Sequence, residues 1–253
     1  MLRFSKKHGY SGVLICVEGI DGSGKSTQIE LLYNWLKSKN VDVILTQWNS
    51  SELIANTTKK AKKKNLLSGR TFSLLHAVDF ADRLERTIKP ALKAGFVVLA
   101  DRYVYTAFAR DVARDVDPKW VRNMYGFAIK PDITFYMDVS PKESLDRICS
   151  NRQPAFYEAG MDMKLSNNPY KSYVLFQNRI AEQYKNMIDE FDLVKVDAMQ
   201  SIHEKQAFIR NEVIKTLKKI KLRLNYEKNK NPRLRRTLSC YRRNGRSGKI
   251  HTG

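Results

Sequence analysis

Nine residues near the start of the chain constrain its fold more than any others: Gly19-Ile20-Asp21-Gly22-Ser23-Gly24-Lys25-Ser26-Thr27. They follow a short apolar run with β-branched residues at 13–18. They lead into a stretch, 26–39, whose Ile29, Leu32, Trp35 and Leu36 recur at the helical period. The spacing is G-x-x-x-x-G-K-[ST], and a strand before it and a helix after it are the context that pattern requires. Glycines here let the backbone curl until its N–H groups converge. The following helix adds unpaired N–H groups and the positive end of its dipole. The loop is therefore read as a phosphate cradle formed by Gly19, Asp21, Gly22, Ser23, Gly24, Lys25, Ser26 and Thr27. In it Lys25 reaches the β- and γ-phosphates of a bound nucleotide and the Ser26 hydroxyl binds Mg²⁺.

The rest of the chain alternates strand and helix. Strands are expected at 41–46, 96–101, 133–139 and 191–196. Helices are expected at 52–64, 71–94, 118–128, 141–149, 171–190 and 201–220. In the long helix, Leu74, Leu75, Val78, Ala81, Leu84, Ile88 and Leu92 are expected to face inward. This alternation predicts an α/β domain, a five-stranded parallel sheet covered by helices on both faces. Ligands of such sheets bind beyond the carboxyl ends of the strands. Asp101 and Arg102 close the strand at 96–101 and so belong on the same edge as the glycine loop. There Asp101 can hold Mg²⁺ through water and Arg102 can grip a phosphate with both arms of its guanidinium. Residues 150–169 are irregular, with Arg152, Tyr157 and Glu158 among them and Arg147 just before. An arginine-bearing segment between two helices suits a lid over a transferring phosphoryl group, though an ordinary polar loop would look the same.

Composition narrows the class. The chain has 253 residues, 42% hydrophobic, enough for one large core. No apolar run approaches a membrane span, and the first twelve residues lack the apolar stretch of a secretory leader. Cys16, Cys149 and Cys240 are too few and too far apart for a disulfide framework or a metal cluster, which fits a reducing, cytoplasmic setting. The net charge is +20, and residues 221–253, with 11 Lys and Arg against Glu227, carry half of it. We expect one folded P-loop domain over 1–224 and a basic, disordered tail over 225–253. The tail, with Arg235-Arg236 and Arg242-Arg243, has the charge for weak nucleic-acid association but no recognised motif. Together with the cluster Lys59, Lys60, Lys62, Lys63 and Lys64, it reads first as solvated charge.

The combination of VEGIDGSGKSTQ, IKPALKAG, VLADRY, Tyr157-Glu158 and the Phe176–Arg179 pair resembles the thymidylate kinase family, over about residues 12–215. The resemblance implies the P-loop NTPase fold, a homodimer, and transfer of the γ-phosphoryl of ATP to a nucleoside monophosphate, foremost dTMP. It assigns catalytic roles to Lys25 and Arg102, with Arg102 holding the acceptor phosphate. Asp21 would sit near the acceptor sugar. Because Gly22 stands where some members carry a basic residue, Arg152 of the lid would supply the missing charge.

The nucleobase pocket departs from the family pattern. Gln47-Trp48-Asn49 stands where Arg-Glu-Pro is usual, and Arg70 or Arg83 is a candidate to replace that arginine. Thr106, Arg110 and Asp111 stand where serine, tyrosine and glutamine are frequent. His76 and Phe80 replace an aromatic residue and an arginine four positions on. Phe80 stacking on the base and His76 bonding its edge is one reading of that pair; two core residues is the other. Tyr157 completes the substrate set with His76, Phe80, Arg102 and Thr106. Two rival functions remain open: a kinase with another nucleotide or nucleoside acceptor, and an ATP-switched protein associated with nucleic acid. A nucleoside acceptor would require a carboxylate base, whereas the Arg102 clamp suits a phosphate acceptor.

Overall fold

The computed structural model describes residues 8–63 and 67–230, with the backbone alone over 221–230. Lys64 and the stretch 231–253, with its arginine pairs and Cys240, lie outside the described residues. Five strands form one sheet: β1 (Val13–Glu18), β2 (Val43–Gln47), β3 (Val97–Asp101), β4 (Ile133–Asp138) and β5 (Val194–Asp197). Their order is β2-β3-β1-β4-β5 and every pairing is parallel, as the alternation predicts. β1 lies at the centre and all six of its residues are buried, hence its unbroken apolar run. The register pairs Val17 with Asp101, Gln47 with Asp101, and Glu18 with Tyr136. The carboxyl ends of four strands therefore meet along one edge.

Around the sheet lie α1 (Lys25–Ser38), α2 (Ala55–Lys63), α3 (Gly69–Arg83), α4 (Lys89–Lys93), α5 (Val104–Arg110), α6 (Pro118–Met124), α7 (Pro141–Cys149), α8 (Pro169–Phe191) and α9 (Ile202–Lys230). Four of the starts have a side-chain cause. Ser68, Asp117, Ser140 and Asn168 cap the amino ends of α3, α6, α7 and α8 with side-chain oxygens, and proline opens the last three. α9 continues six residues past the expected domain boundary at 224. No helix among the described residues is long and apolar enough to cross a membrane.

The long helix differs from expectation. α3 and α4 are joined by a π-helical turn, Leu84–Ile88. Leu84, Ile88 and Leu92 are buried as expected, but upstream of the wide turn the inward face carries Phe72, His76, Asp79, Phe80 and Arg83. Leu74 and Val78 point outward, 51% and 42% exposed. A π turn holds one residue more than an α turn, so a single helical period does not carry across it. α5 has no expected counterpart: it is buried on nearly every side, and seven residues are too few to show a period. Phe191 ends α8 instead of opening β5, and Asp192, at φ 57°, reverses the chain.

Phe80 is wholly buried among Tyr103, Tyr125, Phe127 and Trp48, with ring centroids 5.0–6.3 Å apart. The core alternative for this residue is the one the packing supports. Phe80→Ala should therefore lower stability by about 3–5 kcal/mol through the cavity it leaves. Denaturant unfolding checks this, and a loss under about 1 kcal/mol would contradict the packing.

Candidate active site

The site begins at the loop between β1 and α1. Gly22 and Gly24 adopt φ of 73° and 85°, the left-handed region. At Gly22 a Cβ would lie 2.5 Å from the carbonyl oxygen of Ser144, so both backbone strain and space require glycine. Lys25 is buried and folds back over the loop, donating to the carbonyl of Ile20 (2.6 Å) and to Ser23 Oγ (3.2 Å). Burial and the neighbouring Arg102 charge push its pKa down to about 7, against the pull of Asp21 and Asp101. Ser26 and Thr27 are exposed at the start of α1. Asp101 lies at the end of β3 with Oδ1 buried and unpartnered.

Glu18, the last residue of β1, was not singled out by sequence reasoning. It is completely buried and accepts three hydrogen bonds: from the Tyr103 backbone N–H (2.6 Å), the Thr106 hydroxyl (2.7 Å) and the Tyr184 hydroxyl (2.7 Å). Burial raises its pKa even against these donors. The bond to Tyr103, with that from the Arg102 N–H to the Val17 carbonyl (3.1 Å), holds Arg102 at φ 69°. A non-glycine residue in that region costs on the order of 1–2 kcal/mol. The conformation directs the guanidinium back over the loop, where it donates to the Gly19 carbonyl (3.0 Å) and pairs with Asp21.

Asp21 is shared. One oxygen pairs with Arg102, the other with Arg110, and Gln177 lies 3.4 Å from the second. Burial opposes its ionisation, but Arg110, Arg102 and Lys25 outweigh burial and hold the carboxyl far below the usual range. Burial opposes the charge on Arg102 in turn, but Asp21, with Asp101 and Glu18, outweighs it and keeps the guanidinium charged.

A cleft of about 530 Å³ opens beside these groups. Asp21, Arg102, Arg110 and Thr106 form one part of its lining. Trp48, Phe72, His76 and Tyr157 form another, and Arg152, Glu158, Lys62 and Lys63 complete it. Thr106 turns its hydroxyl toward Glu18 and Tyr184. Arg152 is 54% exposed and held in a forked ion pair with Glu158 (2.7 and 2.9 Å). Arg102 and Arg110 are likewise paired, which leaves Lys62 and Lys63 without a carboxylate among the described residues. Lys62 lies 5.0 Å over the Phe72 ring, and desolvation with nearby Arg110 and Arg114 pushes its pKa down to about 8. Two lysines expected to belong to a solvated cluster thus face the cleft.

The aromatic wall is Phe72, not Phe80. Phe72 stands one helical turn before His76, with ring centroids 4.3 Å apart, and 5.4 Å from Tyr157. The sequence signal for it was the i, i+4 spacing to His76, hidden by the expectation that Leu74 and Val78 face inward. Arg83 does not reach the cleft. It donates to Thr46 (3.0 Å) and pairs with Asp79, which itself accepts the backbone N–H groups of Asn49 (3.0 Å) and Ser51 (2.8 Å). It stiffens the loop after β2 rather than replacing a phosphate ligand. Arg70 lies beside Val116, Asp117 and Trp120, and Arg147 pairs with Glu143 and donates to the Ala198 carbonyl. Neither lines the cleft. Arg179 bonds Asp115 and the Ala113 carbonyl.

Residues 150–169 are irregular, apart from a single 3-10 turn, but firmly tied. Arg114 donates to the Tyr157 carbonyl and to Asp162, both at 2.8 Å, and lies over the rings of Phe72 and Phe176. Gln177 donates to the Glu158 carbonyl (2.8 Å). At Gly160, φ 62°, a Cβ would come within 2.4 Å of the Phe176 ring.

The geometry joins a phosphate-binding loop to a cationic, aromatic-walled cleft across one carboxylate. A family model described as thymidylate kinase matches residues 17–209, which includes every residue of both parts. A probable thymidylate kinase 2 of Saccharolobus solfataricus is 49% identical over 201 residues, 79% of this chain and 94% of that protein. A probable thymidylate kinase of Thermococcus kodakarensis is 32% identical over 80% of this chain and 95% of its own length. The thymidylate kinase of Halothermothrix orenii is 32% identical over 76% and 92%. With the fold and cleft that its own residues build, this chain belongs to the thymidylate kinase family, phosphotransferases that act on a nucleoside monophosphate.

Proposed function

We propose that the protein transfers the γ-phosphoryl group of ATP to dTMP, giving dTDP and ADP. The observation that carries this reading is the charge balance of the cleft. Five cationic side chains line it against two carboxylates, and Lys62 and Lys63 have no anionic partner among the described residues. A dianionic phosphate ester supplies the missing charge; an uncharged nucleoside would not.

The loop N–H groups and Lys25 bind the β- and γ-phosphates of ATP. Mg²⁺ fits at Ser26 and Asp101: an exposed hydroxyl at the helix start, and a carboxylate with one buried, unpartnered oxygen. Among the described residues no cluster of three His, Cys, Asp or Glu could hold a metal. Mg²⁺ needs no such cluster, since phosphate oxygens and water fill most of its shell. When bound it neutralises charge on the phosphates.

Arg102 and Arg110, oriented by Asp21, hold the acceptor phosphate close to the ATP terminus. The acceptor is already anionic, so the site supplies clamps and no general base. Arg152 leaves Glu158, or shares it, to reach the transferring group. Trp48, Phe72 and Tyr157 enclose the base. The exposed pair Leu74 and Val78, one turn apart on α3, supports the homodimer that the family resemblance implies. A monomer mass in solution would remove that assignment.

Two measurements test the reaction. With Mg-ATP and a panel of dTMP, dUMP, UMP, CMP and AMP, ADP release should be fastest with dTMP; no turnover of any of them would overturn the reading. The second concerns Lys25. Its pKa of about 7 in the free protein should rise toward the ordinary lysine value once phosphates surround it. At pH 8 ATP binding should therefore take up about one proton, and at pH 6, where Lys25 is already charged, close to none. Titration calorimetry in two buffers of different ionisation enthalpy reads this directly. A binding enthalpy independent of buffer at pH 8 would place Lys25 away from the phosphates.

A further inference from the structure

Trp48 and His76 line the cleft, and with Asp111 and Tyr125 they carry buried polar atoms that make no hydrogen bond: Trp48 Nε1, both ring nitrogens of His76, both carboxylate oxygens of Asp111, and the Tyr125 hydroxyl. Buried polar groups are nearly always hydrogen-bonded, and an unpaired buried carboxylate is the most costly of these. Asp111 ends α5 and is completely buried; His76 is 3% exposed and lines the cleft. His76 Nδ1 lies 3.9 Å from Asp111 Oδ1, the one carboxylate paired with it. Trp48 and Phe72 meet its ring edge-on, with centroids 5.4 and 4.3 Å away, and so restrict its rotation. The other charged groups acting on it are the cations Lys62 and Arg114.

Burial holds the His76 pKa down, against Asp111, so the ring is neutral and carries one hydrogen. With an anion on the Nδ1 side and cations elsewhere, that hydrogen belongs on Nδ1. Nε2 then bears the lone pair. We propose that Asp111 fixes His76 in the Nδ1–H tautomer, so that Nε2 accepts the ring imide N–H of a pyrimidine-dione base and rejects cytosine, which presents a lone pair there. The inference rests on reading the cleft as the acceptor site and adds how that site selects its base. A site built to pair with one hydrogen discriminates strongly against an analogue lacking it, because its own polar atom is left unpaired. Asp111 is a positioning residue in this scheme, acting through His76.

The test compares kcat/KM for dTMP and dCMP. Asp111→Asn can donate an amide hydrogen to Nδ1 and drive the ring hydrogen to Nε2, turning the acceptor into a donor. The dTMP:dCMP ratio should fall at least tenfold, with the KM for ATP unchanged. His76→Ala should also lower the ratio. A ratio within twofold of wild type in both variants would overturn the proposal. The tautomer is readable without any reaction or variant of Asp111: ¹⁵N NMR of the full chain, with the His76 signal assigned by its loss in His76→Gln, should show Nδ1 protonated and Nε2 bare at pH 8. A protonated Nε2 would refute the scheme even if the Asp111 variant fails to fold. Failure of the underlying kinase reading looks different: the wild type would then turn over neither nucleotide.

Discussion

A buried carboxylate at the end of the central strand holds the site together. Glu18 accepts from the backbone after β3 and from α5 just beyond it, and from α8 far along the chain, so two distant segments converge on its two oxygen atoms. A charge so deeply buried is tolerable only when its hydrogen bonds are satisfied, and the three donors are the means. In return each donor is fixed. The bond to Tyr103 sustains the left-handed backbone at Arg102, without which that guanidinium would not turn back over the glycine loop. The sheet brings the strand ends to one edge, and Glu18 sets the angle at which the next segment leaves it.

Beyond that anchor the chemistry is a distribution of charge. Asp21 sits inside the phosphate loop and pairs with two arginines, while Glu158 holds a third. These internal pairs hold the guanidiniums in defined directions before any ligand arrives, which lowers the ordering cost of binding. The two lysines on α2 are the exception, and theirs is the positive charge that the proposed phosphate-ester acceptor would balance.

Much of this was readable in the chain. The glycine loop, the parallel sheet and the strand-end pair Asp101-Arg102 follow from spacing and from the rule that places ligands at carboxyl ends. What was hidden depends on rotation or on distant contacts. Phe72 was obscured because the π turn breaks the helical period that would have revealed its face. Lys62 and Lys63 look like any basic surface run until the fold sets them at the cleft, with Lys62 over the Phe72 ring. Glu18 reads as the polar end of a strand, since nothing local shows that a threonine and two tyrosines from later segments meet it. Arg83 and Phe80, plausible ligands by position, are held in the interior by Asp79 and by a cluster of rings.

Arg114 reinforces the junction of two parts that already meet where the Tyr157 ring lies 5.4 Å from Phe72. Its guanidinium bonds the backbone at Tyr157 and the carboxylate of Asp162, and the same planar group lies over Phe72 in the cleft wall. The segment 150–169 therefore cannot shift without changing the surroundings of the ring that flanks His76, and a ligand pressed against that ring bears on the segment. Any difference in acceptor affinity between two positions of the segment must equal the bias that the acceptor places on those positions. Ligand binding at that ring and segment placement are thus two readings of one coupling energy, to which Arg114 and the Tyr157–Phe72 contact both contribute.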